Sequence, residues 1–165
     1  MLSKDELEAN NRRFGASFTG GQLSSTPARK LLVLTCMDAR MDPLRMLGLR
    51  DGDANILRNA GGRVSDDAIR SIVISQQLLG TRQVVVIHHT NCGLFNVTND
   101  ELRHKMSPTL ARRVANMDFL PLGPDVTESV RADVKRLRGQ PLLAEGSEVR
   151  GYVYDVSNGR ITPVD

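Results

Sequence analysis

Two apolar runs without a polar interruption constrain this chain more than any other feature: Lys30-Leu-Leu-Val-Leu-Thr35 and Gln83-Val-Val-Val-Ile-His88. A strand with one wet face alternates apolar and polar residues, whereas a strand covered on both faces is apolar throughout, the habit of parallel sheets packed between helices. Ala54 to Arg58 is read as a third strand of the same kind, so all three are expected in the interior of a parallel sheet. The segment Ser65-Asp-Asp-Ala-Ile-Arg-Ser-Ile-Val-Ile-Ser-Gln-Gln-Leu-Leu79 opens with a capping serine and two acids and stops at Gly80, which marks a helix. Further helices are expected over Pro43 to Leu49, Asp100 to Met106 and Val126 to Leu137. Ser3 to Phe18 is another, with Ser3 and Glu6 at capping-box spacing. The tail, Val149 to Asp155 then Arg160 to Val164, reads as a hairpin or edge strand turning at Asn158-Gly159. Strand and helix thus alternate, which predicts an α/β fold: an open, mainly parallel β-sheet flanked by helices, with a C-terminal edge strand or hairpin and an N-terminal helical arm. A length of 165 residues implies one domain, with 1–27 as arm and linker and 28–165 as the α/β core.

In an open α/β sheet, ligands bind where strands end at their carboxyl edge. The first apolar run leads into Cys36-Met37-Asp38-Ala39-Arg40, and the other into His88-His89-Thr90-Asn91-Cys92-Gly93. If both strands are parallel, Cys36, His89 and Cys92 converge on one edge. Two thiolates and an imidazole are a zinc donor set, and three protein ligands leave a fourth position for water or substrate. Asp38, two residues from Cys36, would accept a hydrogen bond in that position. Arg40 would hold the carboxylate through a bidentate fork and keep it off the metal. A buried cysteine is ordinarily a small hydrophobe, and a redox disulfide is another use of the pair. Two motifs following two buried strands and using both cysteines of the chain favour the metal.

Other function classes fit poorly. The net charge of +3 comes from scattered basic residues, and aromatics are only 4% with no Trp, so no nucleic-acid partner is expected. No run approaches the roughly 20 apolar residues of a membrane span, so no membrane partner is expected. Lys4, Asp5, Glu6 and Glu8 occupy the stretch where a signal peptide would be apolar, which points to a cytoplasmic protein.

The pair Cys36-Met-Asp38-Ala-Arg40 and His89-Thr-Asn-Cys92-Gly93, with Arg58-Asn-Ala-Gly-Gly62 between them, resembles the signature of the β-class carbonic anhydrases, especially the short bacterial and archaeal type. The resemblance runs from about Lys30 to Cys92. It implies one zinc ion per chain on Cys36, His89 and Cys92, with Asp38 and Arg40 as the catalytic dyad. It implies a substrate pocket lined by Asn59, Ala60, Gly61, Gly62 and Gly93. The implied reaction is reversible hydration of carbon dioxide to bicarbonate and a proton by a zinc-bound hydroxide. Hydrolysis of carbonyl sulfide or carbon disulfide at the same site, and a non-catalytic zinc-stabilised protein, are the alternatives. A closed state with Asp38 as fourth ligand at lower pH is a trait of some members. So is assembly as a homodimer or homotetramer with the N-terminal helix lying across the partner, which the apolar Phe14 and Phe18 would suit. His88 and His104 are candidates for proton export, with His88 better suited to a structural role. The regulatory bicarbonate pocket of some members is built with a Trp, and this chain has none.

Overall fold

A computed structural model of the chain describes residues 1–164. At its centre lie β1 Leu31–Cys36, β2 Ala54–Asn59, β3 Gln83–His89, β4 Glu148–Asp155 and β5 Arg160–Val164, in the order β2-β1-β3-β4-β5. The first four are parallel, and β5 returns antiparallel to β4 after the turn over 156–159. Around them are α1 Lys4–Ala16, α2 Pro43–Leu47, α3 Asp66–Leu79, α4 Asn99–His104, α5 Pro108–Arg113 and α6 Val126–Arg138. The expected open, mainly parallel α/β sheet with an N-terminal helix is what the chain forms.

The two faces of the sheet are covered unequally. On one, Leu32, Leu34, Val84 and Val86 pack against Ile69 and Ile72 of α3 and Val130, Val134 and Leu137 of α6. Ile72 and Leu137 are fully buried, each contributing about 1.5–3 kcal/mol of apolar transfer. On the other face, Leu31, Val33, Val85 and Ile87 meet Met41, Leu122 and Tyr154, supported by Met46 and Leu47 of the short α2 and by Leu49. α1 begins in the expected capping box between Ser3 and Glu6, yet buries none of its residues.

Three local readings are corrected. β2 is an edge strand rather than an interior one, and five of its six residues are half-buried. Its polar residues explain this: Asn55 bonds to Ser75 Oγ at 2.8 Å and Arg58 turns toward the β1 end, so the run was never apolar throughout. The Pro43 helix stops at Leu47 because Gly48 takes a left-handed conformation. The Asp100 helix begins one residue early, capped by Thr98, and ends at His104, and a separate α5 follows, capped by Ser107.

Register fixes the height of the chemistry. Thr35 pairs with Ile87, Cys36 with Asn59 and His89 with Tyr154, so Cys36 and His89 stand at the same carboxyl edge on adjacent parallel strands. A 3-10 turn over Ala60–Gly62 then closes over these strand ends. Gly62 makes the closure possible: its φ is +69°, and a Cβ there would lie 2.9 Å from Cys36 N and 3.0 Å from the Ile87 carbonyl oxygen.

Candidate metal centre

Among the described residues, Cys36, His89 and Cys92 are the one cluster of metal-binding side chains whose donor atoms all lie within 4.8 Å of one another, and all three are buried. Cys36 and His89 close their strands, and Cys92 follows in a turn in which Asn91 has a positive φ of 53°. His89 Nδ1 lies 2.9 Å from the Thr90 carbonyl oxygen, which can only accept. Nδ1 therefore carries the proton, and Nε2 offers its lone pair to the cluster. Nε2 is buried and has no hydrogen-bond partner, so it is an atom that a cation would satisfy. Two sulfurs and one such nitrogen fit zinc by donor chemistry.

The two thiols divide one proton unequally. Cys36 is pushed well below the ordinary thiol range because Cys92 donates to its sulfur, with the adjacent His89 ring and the backbone N–H groups of Asp38 and Gly61 outweighing burial. Cys92 is pushed up because it keeps that proton against the Cys36 sulfur and is buried, though the Leu94 N–H donates to it. A cation among the donors replaces this proton. For His89, burial acts downward, but the Cys36 contact and the Thr90 hydrogen bond prevail and raise it.

Asp38 stands beside the cluster, 3.7 Å from His89 Nε2. Arg40 Nε donates to Asp38 Oδ1 at 2.8 Å and Arg40 Nη2 to Oδ2 at 2.7 Å, while the Arg40 N–H reaches Oδ1 at 2.9 Å. The Arg40 fork is the largest reason that Asp38 lies well below the usual carboxylate range. Arg40 is itself anchored on the Asn91 carbonyl at 3.0 Å, which ties the two motifs together. Arg58 donates to the Cys36 and Asp38 carbonyls at 3.0 and 2.7 Å. In the sequence Arg58 opens the Arg58–Gly62 motif with nothing beyond that to mark a role. Its place at the end of a strand adjoining Cys36 was the available signal.

A cleft of about 410 Å³ opens over the donors, lined by Cys36, Met37, Asp38, Ala39, Ala60, Gly61, Cys92, Gly93 and Leu94. Ala60, Gly61 and Gly93 line this cleft. Asn59 and Gly62 stand behind it: the Asn59 amide brackets Arg63 by two 2.7 Å bonds, and Gly62 abuts the strand ends. Met37 and Leu94 are additional wall residues, without a sequence signal beyond their adjacency to Asp38 and Cys92. His88 is fully buried on the opposite face, 3.2 Å from Asp133 Oδ2. His104 lies on α4, bonded through Nδ1 to the Asp100 carbonyl.

A family model described as carbonic anhydrase matches residues 31–120. "Beta-carbonic anhydrase 1" of Mycobacterium tuberculosis is 38% identical over 165 residues, covering 99% of both chains. A carbon disulfide hydrolase of an Acidianus species is 36% identical over 81% of this chain and 76% of its own. The crystal structure of carbonic anhydrase from Streptococcus mutans aligns with a TM-score of 0.90 at 42% identity, covering 100% of each chain.

Proposed function

The chain belongs to the β-carbonic anhydrase family, and from that premise we infer that it hydrates carbon dioxide reversibly to bicarbonate and a proton at a zinc ion held by Cys36, His89 and Cys92. The observation that carries the reading is the bare, buried Nε2 of His89 facing two thiols beside a carboxylate already engaged by an arginine. Zinc, when bound, supplies Lewis acidity that brings the pKa of water toward neutrality. The chain's own residues do the rest. Asp38 is ionised and accepts a hydrogen bond from the nucleophile, orienting it toward substrate. Arg40 occupies both carboxylate oxygens and would restrain Asp38 from a bound metal, leaving the fourth position to water. Met37, Ala39, Ala60 and Leu94 give an apolar wall that suits an uncharged linear substrate.

The test is stopped-flow carbon dioxide hydration from pH 6 to 9 on zinc-quantified wild type and Asp38→Ala. Near-stoichiometric zinc with activity that falls in the variant is expected. Zinc without hydration would turn the assignment to carbon disulfide, the substrate named for the Acidianus relative and admitted by the same apolar wall.

Two further readings accompany this one. α1 buries nothing and leaves Leu7, Phe14 and Phe18 exposed, which supports a homodimer or homotetramer in which this helix lies on a partner. Light scattering should give at least twice 18.2 kDa, and the monomer mass would remove the claim. No helix among the described residues is long and apolar enough to cross a membrane. Two free thiols at the site suit a reducing compartment such as the cytoplasm.

A further inference from the structure

On the α6 side of the sheet lies a buried charged group that none of the steps above uses. Arg63 Nε and Nη2 donate to Asp133 Oδ2 and Oδ1 at 2.8 and 3.1 Å, and Arg63 Nη1 donates to the carbonyls of Leu120 and Pro121 at 2.8 and 2.5 Å. The Asp133 carboxylate also accepts from the Val64 N–H at 3.1 Å and lies 3.2 Å from His88 Nε2. Five donors in a rigid fork let one guanidinium hold a carboxylate and two carbonyls at once.

Each of these contacts leads to a segment that adjoins a residue of the metal cluster. Arg63 and Val64 directly follow the Ala60–Gly62 turn, which packs so closely on Cys36 that a Cβ on Gly62 would lie 2.9 Å from the Cys36 nitrogen. The Asn59 amide closes that turn against Arg63. Leu120 and Pro121 precede Leu122, whose N–H donates to the carbonyl of Leu94 at 3.0 Å, and Leu94, two residues past Cys92, lines the cleft beside it. His88 adjoins His89 in β3. Leu120 is held at a φ of +52°, which is disfavoured for a branched side chain, so this segment needs outside restraint. Arg63 supplies it, together with the hydrogen bond from the Leu120 N–H to Asp118 at 2.9 Å.

We infer that Arg63 and Asp133 are positioning residues for the metal centre: the pair fixes the turn that packs on Cys36 and, through Leu122, the segment that follows Cys92. The inference rests on the metal reading above. The pair touches no donor atom itself. It sets where these two segments hold Cys36 and Cys92, and with that the spacing and surroundings of the thiolates.

The test is zinc affinity by chelator competition, with the thiolate-to-metal absorption of the cobalt-substituted protein as a second readout. Arg63→Lys keeps the charge but cannot bridge the carboxylate and both carbonyls. It should bind zinc ~10–100-fold more weakly, the usual consequence of losing an outer contact to a metal ligand, and should shift the cobalt band. Val134→Ala, on the same helix and in the core, should lose folding stability with affinity unchanged. Should Arg63→Lys fail to fold, Arg63→Met combined with Asp133→Asn removes both charges and keeps an oxygen for the Val64 N–H, and the same weakening is expected. Affinity within twofold of wild type in folded variants overturns the inference while leaving the metal reading intact, as does an equal weakening in Val134→Ala. Wild type without zinc overturns both.

Discussion

Two aspartate–arginine forks flank the same three donors, alike in geometry and opposite in setting. In the cleft, Asp38 and Arg40 are two residues apart and their side chains are 18% and 49% exposed; in the core, Asp133 and Arg63 are 70 residues apart and 4% and 13% exposed. An ion pair in contact with water is screened and adds little to folding. On the reading proposed above, Asp38 and Arg40 act through an ionised, restrained carboxylate in the cleft wall. A buried pair carries a large desolvation cost and is harmful when one partner is removed, so the Arg63 fork is understood by the segments it ties together. Where a pair sits decides whether it serves the reaction or the framework.

The comparison breaks most severely if the donors between the forks are removed. Cys92→Ser should abolish stoichiometric zinc and lower kcat/KM by more than ~10²-fold, beyond what loss of an outer contact causes. Retained zinc, measured by atomic absorption, would show that the forks do not flank a metal. Next in size is Arg40→Lys. A lysine offers a point charge where the two Asp38 oxygens need a fork, so hydration should fall ~10²-fold while the thermal midpoint stays where it was. A loss of stability in place of activity would make the cleft fork a framework element like the other.

The cleft fork was legible in the sequence because it is local: Cys36, Asp38 and Arg40 lie within five residues after a buried strand, and the parallel register of β1 and β3 delivers His89 and Cys92 to them. The interior runs were read correctly for the same reason, since Val84 to Ile87 has no polar break. β2 was misjudged because Asn55 and Arg58 were passed over, and their polarity is what an edge position tolerates. The core fork was invisible. Arg63 and Asp133 are single charged residues 70 positions apart, and only the packing of α6 across the end of β3 brings them together.

pH separates the two forks further. Burial alone would raise the Asp133 carboxyl, but the adjacent His88 ring and the hydrogen bonds and charge of Arg63 outweigh it and hold it at about 2, against an ordinary 3.8. Because the folded value is the lower one, the stabilisation is present above pH ~4 and is lost as pH falls toward 2. The difference between about 2 in the folded chain and 3.8 in the unfolded one corresponds to about 2 kcal/mol. In urea melts of the zinc-free proteins, wild type should lose about 2 kcal/mol more between pH 5 and pH 2 than Arg63→Met with Asp133→Asn. Parallel pH curves would mean that the core fork does not differ in ionisation between folded and unfolded chains.

The smallest effect belongs to a third pair with neither kind of setting. Arg70 Nε donates to Asp67 Oδ1 at 2.9 Å on the outer side of α3, with side chains 68% and 72% exposed. Its hydrogen-bond length matches those of the other two pairs, so if charge pairing as such mattered, Arg70→Ala would resemble the other variants. It touches neither the cleft wall nor any segment that carries a donor. Stability should therefore change by no more than ~0.5 kcal/mol, with zinc affinity and hydration unchanged. If Arg70→Ala weakened zinc binding and the effect vanished in high salt, long-range charge would be acting on the site. The distinction between the two forks would then rest on net field rather than on the contacts each one makes.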